Sequence, residues 1–462
     1  MTGPLSVAEA REHRILLIDP ASLSILASGP HSSARLPRIQ IPTQTRITPF
    51  LHSALTANWG VRGTVLDYLS FDSGDSPCAV LELLSDKIPA IFREVGVDQL
   101  FEEDLSEDER ASLLSVVEGK SVNALSRIGW LDEAIGWVEE TAGQAIRSRL
   151  EIEQISAGGG FALLRFPMRN GQSYWLKATG HPNKHEQPLA LLLSRFGSGH
   201  IPEVLATRDD WNAWVMSDIE SPGIPADPIM RFHALERAVT AMAKLQSRLI
   251  GREAELFAAG AFDQRLSVLG ADSRLLFERI EEAMALQTSM KASRLDGARL
   301  RYLRNRFVET CDLVESLGIP ATALHGDMNV DNILCSDGSC QFVDWCETYV
   351  GYPLVTLQHL LLLNQPEEVP PKSAWDRILI ERYRAAMSDI CSAEDFERAV
   401  VCMPLIAAAS ALYGRGDWLR RSLEGMPQHQ AWIRAMARHM ERAAQQPVLL
   451  ELLLREQAVC TG

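Results

Sequence analysis

The sequence is short of positive charge. Its 45 Lys and Arg face 60 Asp and Glu, a net charge of −15, which speaks against non-specific binding to nucleic acid or to an anionic membrane. Long apolar runs are missing: stretches such as Leu360–Leu363 fall far below the roughly 20 residues that a membrane-spanning helix needs. No secretory signal is expected, because Met1–Glu12 is polar and Ile15–Ile18 is too short for an apolar signal core. Cysteine is sparse. Eight are scattered over 462 residues, the pattern of reduced thiols in a cytoplasmic protein. Cys335, Cys340 and Cys346 lie close together, but their spacing fits no common zinc motif. They are expected around a short hairpin through Ser336-Asp337-Gly338-Ser339. GxGxxG and Walker A phosphate loops are absent as well.

What remains is an ordinary globular composition, 46% hydrophobic and 23% charged, on a chain too long for one core, so two or three domains are expected. Residues 1–128 read as a small α/β domain. Arg14–Ile18 and Leu23–Ala27 form a strand pair and Thr48–Asn58 a helix. Val61–Phe71 and Cys78–Leu84 are strands around the turn Asp72-Ser73-Gly74-Asp75. Ser106 caps a helix running to Glu118, with Asp108 and Glu109 at its positive end. This order, with Leu36-Pro37-Arg38 ahead of a helix, resembles a Nudix-like domain. The metal-binding Nudix box is missing, so the resemblance implies a domain without hydrolase chemistry. Residues 129–149 read as a linking helix with Leu131, Ala134, Ile135 and Val138 on one face, for which plain packing is the better reading.

From Leu150 the pattern changes. Residues 150–220 read as a β-rich lobe: Glu151–Ser156 and Phe161–Arg165 are strands flanking the glycines Gly158-Gly159-Gly160. Tyr174–Ala178 is a third strand, a helix spans Glu186–Phe196, and Trp214–Met216 is another strand. Residues 221–462 read as almost wholly helical, beginning after Ser221-Pro222-Gly223.

The chemistry concentrates in His325-Gly326-Asp327-Met328-Asn329-Val330-Asp331-Asn332, followed twelve residues after Asn332 by Asp344-Trp345. An acid at Asp327 suits orienting a hydroxyl and accepting its proton. A carboxamide at Asn332 and a carboxylate at Asp344 suit holding Mg²⁺ against a triphosphate. The pattern HGDxxxxN…DW resembles the aminoglycoside phosphotransferase and choline kinase family, of the protein-kinase-like fold, over roughly Leu150–Leu363.

The resemblance implies an α+β, two-lobed fold behind the small α/β domain. It makes Asp327 the catalytic base, Asn332 and Asp344 the metal ligands, and His325 a brace for the loop. Lys177 would contact the α- and β-phosphates, paired with Glu186. Gly158 and Gly159 would cover the phosphates, and the main chain of Ser217 and Ile219 would meet the base. One departure stands out. The family often shows Gly-Asp-Pro and then Asp-Leu, whereas here the run is Gly351-Tyr352-Pro353-Leu354-Val355-Thr356-Leu357.

The expected activity is transfer of the γ-phosphoryl group of ATP or GTP, with Mg²⁺, to a hydroxyl of a small molecule of aminoglycoside, sugar or amino-alcohol type. The expected partners are therefore a nucleotide and a small hydroxylated substrate, with neither nucleic acid nor membrane. Two other readings stay open: a non-catalytic nucleotide-binding regulator, and nucleotidyl transfer on the same scaffold.

Overall fold

The computed structural model describes residues 10–29, 34–43, 45–69, 76–85, 87–121, 123–219, 221, 223–336, 339–364 and 372–460. The expected turn at Asp72–Asp75, the tip residues Asp337 and Gly338, and Pro222 lie outside them. The chain divides into two compact units, residues 1–187 with 203–218, and residues 188–202 with 219–462.

The first unit holds two sheets. Strands β1 (Ala10–Ile18), β2 (Ile25–Ala27), β3 (Arg38–Pro42), β4 (Gly63–Leu69), β5 (Cys78–Leu83) and β6 (Arg93–Val95) form a mixed sheet ordered β4-β5-β1-β2-β6, with β3 also on β1. Strand β1 is apolar on both faces from Ile15 to Ile18, because helices cover both. Helix α1 (Ile47–Trp59) packs Leu51 and Leu55 on one face. Helices α2 (Glu107–Val117) and α3 (Trp130–Ala142) close the other through Leu113, Trp130, Leu131 and Val138. Strand β3 intervenes where Leu36-Pro37-Arg38 was expected to lead into a helix. Its residues alternate exposed and buried, turning Ile39 and Ile41 inward.

A buried ion pair fastens α2 to β1. Both guanidinium ends of Arg14 donate to Glu109, at 2.9 and 2.7 Å. The same carboxylate accepts the Ser106 N–H in a capping box.

The second sheet is antiparallel, ordered β10-β11-β9-β8-β7. It comprises β7 (Glu153–Gly158), β8 (Phe161–Pro167), β9 (Ser173–Ala178), β10 (Val204–Arg208) and β11 (Ala213–Ser217). The period of two sorts its faces. Leu164, Phe166, Leu176, Ala178 and Val215 are buried in one core with Trp130 and Val138 of α3. Lys177 and Trp175 alternate with Leu176 and so take the opposite face. Helix α3 is thus a packing layer behind the sheet. Helix α4 begins at Glu186 and runs to Phe196.

The second unit is mainly helical. Helix α5 (Pro228–Leu249) starts with an Asp227 cap and Pro228 at its first turn. Further helices span Gly297–Ser316, Leu354–Leu363, Lys372–Ala386, Ala393–Tyr413 and Pro427–Ala444. Contrary to the expectation of no such stretch, Ala393–Tyr413 is long and apolar enough to cross a membrane, yet 67% of its most apolar window is buried among neighbouring helices. Three short strands interrupt the helices: β12 (Phe262–Gln264) lies parallel to β16 (Thr348–Gly351), which pairs antiparallel with β13 (Thr322–His325). A hairpin of β14 (Ile333–Cys335) and β15 (Cys340–Phe342) sits between the two site motifs. A small sheet ahead of a large helical part is the α+β order expected from the sequence.

Candidate active site

The loop after β13 is built around hydrogen bonds that leave little freedom. His325 is 1% exposed. Its Nε2 lies 2.9 Å from the Val343 carbonyl oxygen, and the Asp327 N–H donates to its Nδ1 at 3.2 Å. These two bonds require the Nε2–H tautomer, so the ring is a neutral strut between Asp327 and the residue before Asp344. Its centroid is 4.5 Å from the Trp345 ring. Gly326 is needed for close approach: an added Cβ would fall 2.5 Å from the Tyr349 ring and 2.9 Å from Glu347 Cβ.

The Asp327 carboxylate is fixed from both sides. Asn329 Nδ2 donates to Oδ1 at 2.8 Å, and Asn332 Nδ2 donates to Oδ2 at 3.1 Å and to the Asp327 carbonyl at 2.9 Å. Asn332 thus spends its amide donors on Asp327, and among the described residues no hydrogen bond reaches its side-chain oxygen Oδ1.

The hairpin brings the second motif alongside. Val343 N–H donates to Asn332 O at 3.1 Å, closing the ladder begun by Ile333↔Phe342. Asp344 follows with φ 65° and ψ 65°. Only Leu23, Asn212 and Asp344 among the described non-glycine residues have positive φ, and such strain gathers where function needs it. The hairpin was expected, and so were reduced thiols, but the thiols at its base are not reduced: Cys335 and Cys340 face each other in register and form a disulfide. The cross-strand neighbourhood that puts two Cβ atoms together depends on the hairpin's register, which composition does not reveal.

Two residues of the run after Gly351 are tied in by hydrogen bonds. Thr356 Oγ accepts the His325 N–H at 3.1 Å, so a hydroxyl braces the loop. Tyr352 is buried and donates to the Ala399 carbonyl at 2.9 Å.

In the first unit, Lys177 Nζ lies 2.5 Å from Glu186 Oε1, with the side chains 16% and 3% exposed. The pair joins β9 to the first turn of α4. Lys177 also stands 5.8 Å above the Trp214 ring, its cross-strand neighbour. The glycine turn takes left-handed φ at Gly158, Gly159 and Gly160 (93°, 61° and 84°), open to non-glycine residues only at a cost. The Ser217 N–H donates to Glu203 O. The Ile219 carbonyl, in the second unit, accepts from Ser221 N–H.

Two groups were not singled out in the sequence. Glu347 is half-buried, and its carboxyl is pushed up by burial and by Asp327, with Arg415 opposing and Asp344 adding to the rise. Its signal was an acid three residues beyond Asp344. His359, on the helix Leu354–Leu363, is buried near His325 and Asp327, and burial pushes its imidazole down to about 4.

The consequence for stability follows from proton counting. Below the ordinary value near 6.5 the unfolded chain gains a proton that the folded chain refuses. This contribution is therefore intact above pH 6.5 and is lost as pH falls toward 4. We expect the urea midpoint of the natural protein to fall more between pH 7 and 4.5 than that of His359→Leu, by the equivalent of about 2–3 kcal/mol. Equal losses would contradict a buried neutral imidazole.

No protein-family model and no curated protein matches the chain. Solved structures similar to it include a choline/ethanolamine kinase family protein from Mesorhizobium loti, at 16% identity and TM-score 0.45, covering 69% of this chain and 98% of that one. Another is a Plasmodium vivax ethanolamine kinase, at 13% identity and TM-score 0.45, covering 75% and 97%. A macrolide 2'-phosphotransferase from Brachybacterium faecium is similar at 14% identity and TM-score 0.43, covering 68% and 99%.

Proposed function

We propose that the protein is a phosphotransferase that moves the γ-phosphoryl group of ATP or GTP to a hydroxyl of a small molecule of aminoglycoside, sugar or amino-alcohol type. The observation that carries this reading is the division of labour at Asn332. Its amide donors hold the Asp327 carboxylate still, and its side-chain oxygen stands beside the hairpin that leads to Asp344.

Asp327 would orient the acceptor hydroxyl and take its proton as the new O–P bond forms and the nucleoside diphosphate departs. Fixing both carboxylate oxygens in advance means that little reorganisation is needed at the moment of transfer. His325, neutral and buried, holds the loop and takes no part in proton transfer. Lys177, oriented by Glu186, would draw the α- and β-phosphates.

The donor set suits Mg²⁺, which binds few protein oxygens and completes its shell with phosphates and water. Asn332 Oδ1 and Asp344 would be those protein ligands. When bound, Mg²⁺ would offset the charge shared by the β- and γ-oxygens.

The test is direct. The full chain is incubated with Mg²⁺, ATP or GTP and a panel of hydroxylated acceptors, with nucleoside diphosphate release and product mass as readouts. A product heavier by one phosphoryl group is expected. A nucleotidylated product, or nucleotide binding with no product across the panel, would overturn the reading in favour of one of the other two.

A further inference from the structure

The glycine turn is not free-standing. Its Gly159 N–H donates to Asp67 Oδ1 at 3.1 Å, across 92 residues of sequence, from a strand of the N-terminal sheet. The same oxygen accepts the Tyr68 N–H at 2.8 Å, and Oδ2 accepts the buried Ser126 hydroxyl at 2.6 Å. Ser126 is in turn held by Asn123 Nδ2 at 2.9 Å.

Asp67 points there because β4 carries a bulge between Val65 and Asp67. In an unbroken strand Asp67 would share a face with Val65, which lies in the core under α1. The extra residue shifts the phase by one, a common way to re-aim a side chain. Val65 and Tyr68 then belong to the α1 side, and Leu66 and Leu69 to the other, where Leu125 and Ser126 lie. The aim is locked by Gln154 of β7, whose amide donates to Val65 O and accepts from Val65 N–H, both at 2.9 Å. Contacts fix the turn on both flanks. A Cβ on Gly158 would fall 2.7 Å from the Tyr68 ring, and one on Gly160 would fall 3.1 Å from Gly180 Cα.

We propose that Asp67 is a positioning residue of the nucleotide site: the N-terminal domain holds the phosphate-covering turn in its working shape through this carboxylate. The inference rests on the phosphotransferase reading and assigns the N-terminal domain a part in it. Three donors engage the carboxylate, so its charge is directed into the bracing contacts. A turn ordered before nucleotide arrives spares binding the entropy of ordering it. The opposite arrangement, with Asp67 occupying the place of a phosphate oxygen, would make the contact a brake.

The experiment compares the full natural chain with Asp67→Ala, Asp67→Asn and Ser126→Ala. It reads the Kd for Mg²⁺-ATP by calorimetry, turnover at saturating nucleotide, and hydrogen exchange of the 156–162 segment. Losing a charge-assisted bond should weaken ATP binding in Asp67→Ala about tenfold and speed exchange at Gly159, with saturated turnover within about twofold. Asn keeps an acceptor facing Gly159, so Asp67→Asn should stay close to the natural chain, a rescue that a purely electrostatic role would not give. Ser126→Ala, a small change, should weaken binding about two- to threefold and carries the test if Asp67→Ala fails to fold. Unchanged or tighter ATP binding in both alanine variants would overturn the inference while leaving the phosphotransferase reading intact. A natural chain that binds no nucleotide would overturn both.

Discussion

Asp327→Asn is expected to lower turnover by about two to four orders of magnitude, the usual contribution of a positioned general base, with nucleotide affinity changed by no more than about threefold. The substitution keeps the size of the side chain but removes the basic oxygen. It also presents an NH₂ to one of two donors, Asn329 Nδ2 or Asn332 Nδ2, that now flank the carboxylate. One of these amides must then turn, at a cost of about 1 kcal/mol in folding stability. If Asn332 turns, its metal-facing oxygen moves with it, so ATP affinity has to be measured with and without Mg²⁺. Asp327→Ser, which leaves room and offers no second amide, separates the two effects and should be equally inactive. Turnover retained in both variants with an acceptor that the natural chain uses would remove Asp327 from the reaction.

The proximity of the candidate residues was legible because they are close in sequence. Asp327 and Asn332 are five residues apart on one loop, and a single hairpin returns the chain to Asp344. Lys177 and Glu186 were legible for a similar reason, a strand and a helix nine residues apart. What escaped notice depends on partners far along the chain. Strand β12 is three residues long and pairs with Tyr349–Gly351, some 87 residues on, too short to show a period within helical surroundings. Strand β10 alternates intermediate and exposed positions, so it lacks the apolar signal of a buried strand. Asp67 acquires its role from a bulge and from a turn 92 residues away. In isolation it is the one acid in a short strand, with nothing in the sequence beside it to mark a partner. The brace from Thr356 Oγ to the His325 N–H was not legible either, because it spans 31 residues.

Asp344→Asn should separate the fold's needs from the reaction's. Asp344 sits at φ 65°, a region that costs most L-residues roughly 1–2 kcal/mol but that Asn tolerates well. Its charge also helps push the Glu347 carboxyl up, alongside burial and Asp327, so neutralising it relieves repulsion among three acids. Asparagine therefore fits the backbone at least as well as aspartate and lightens the local charge. The urea midpoint of the variant should equal or exceed that of the natural chain, by up to about 1 kcal/mol. Activity should move the other way. Without the carboxylate, ATP affinity in Mg²⁺ should fall to the value measured in EDTA, and turnover should drop by about two to three orders of magnitude, as when one preorganised electrostatic contact is removed. Asp344→Gly tests the backbone half alone, since glycine accepts this φ freely and offers the metal nothing. If the Asn variant keeps a Mg²⁺-dependent gain in ATP affinity, Asp344 is not the metal ligand. If it is markedly less stable than the natural chain, the carboxylate serves the fold, and the positive φ is not strain held for chemistry.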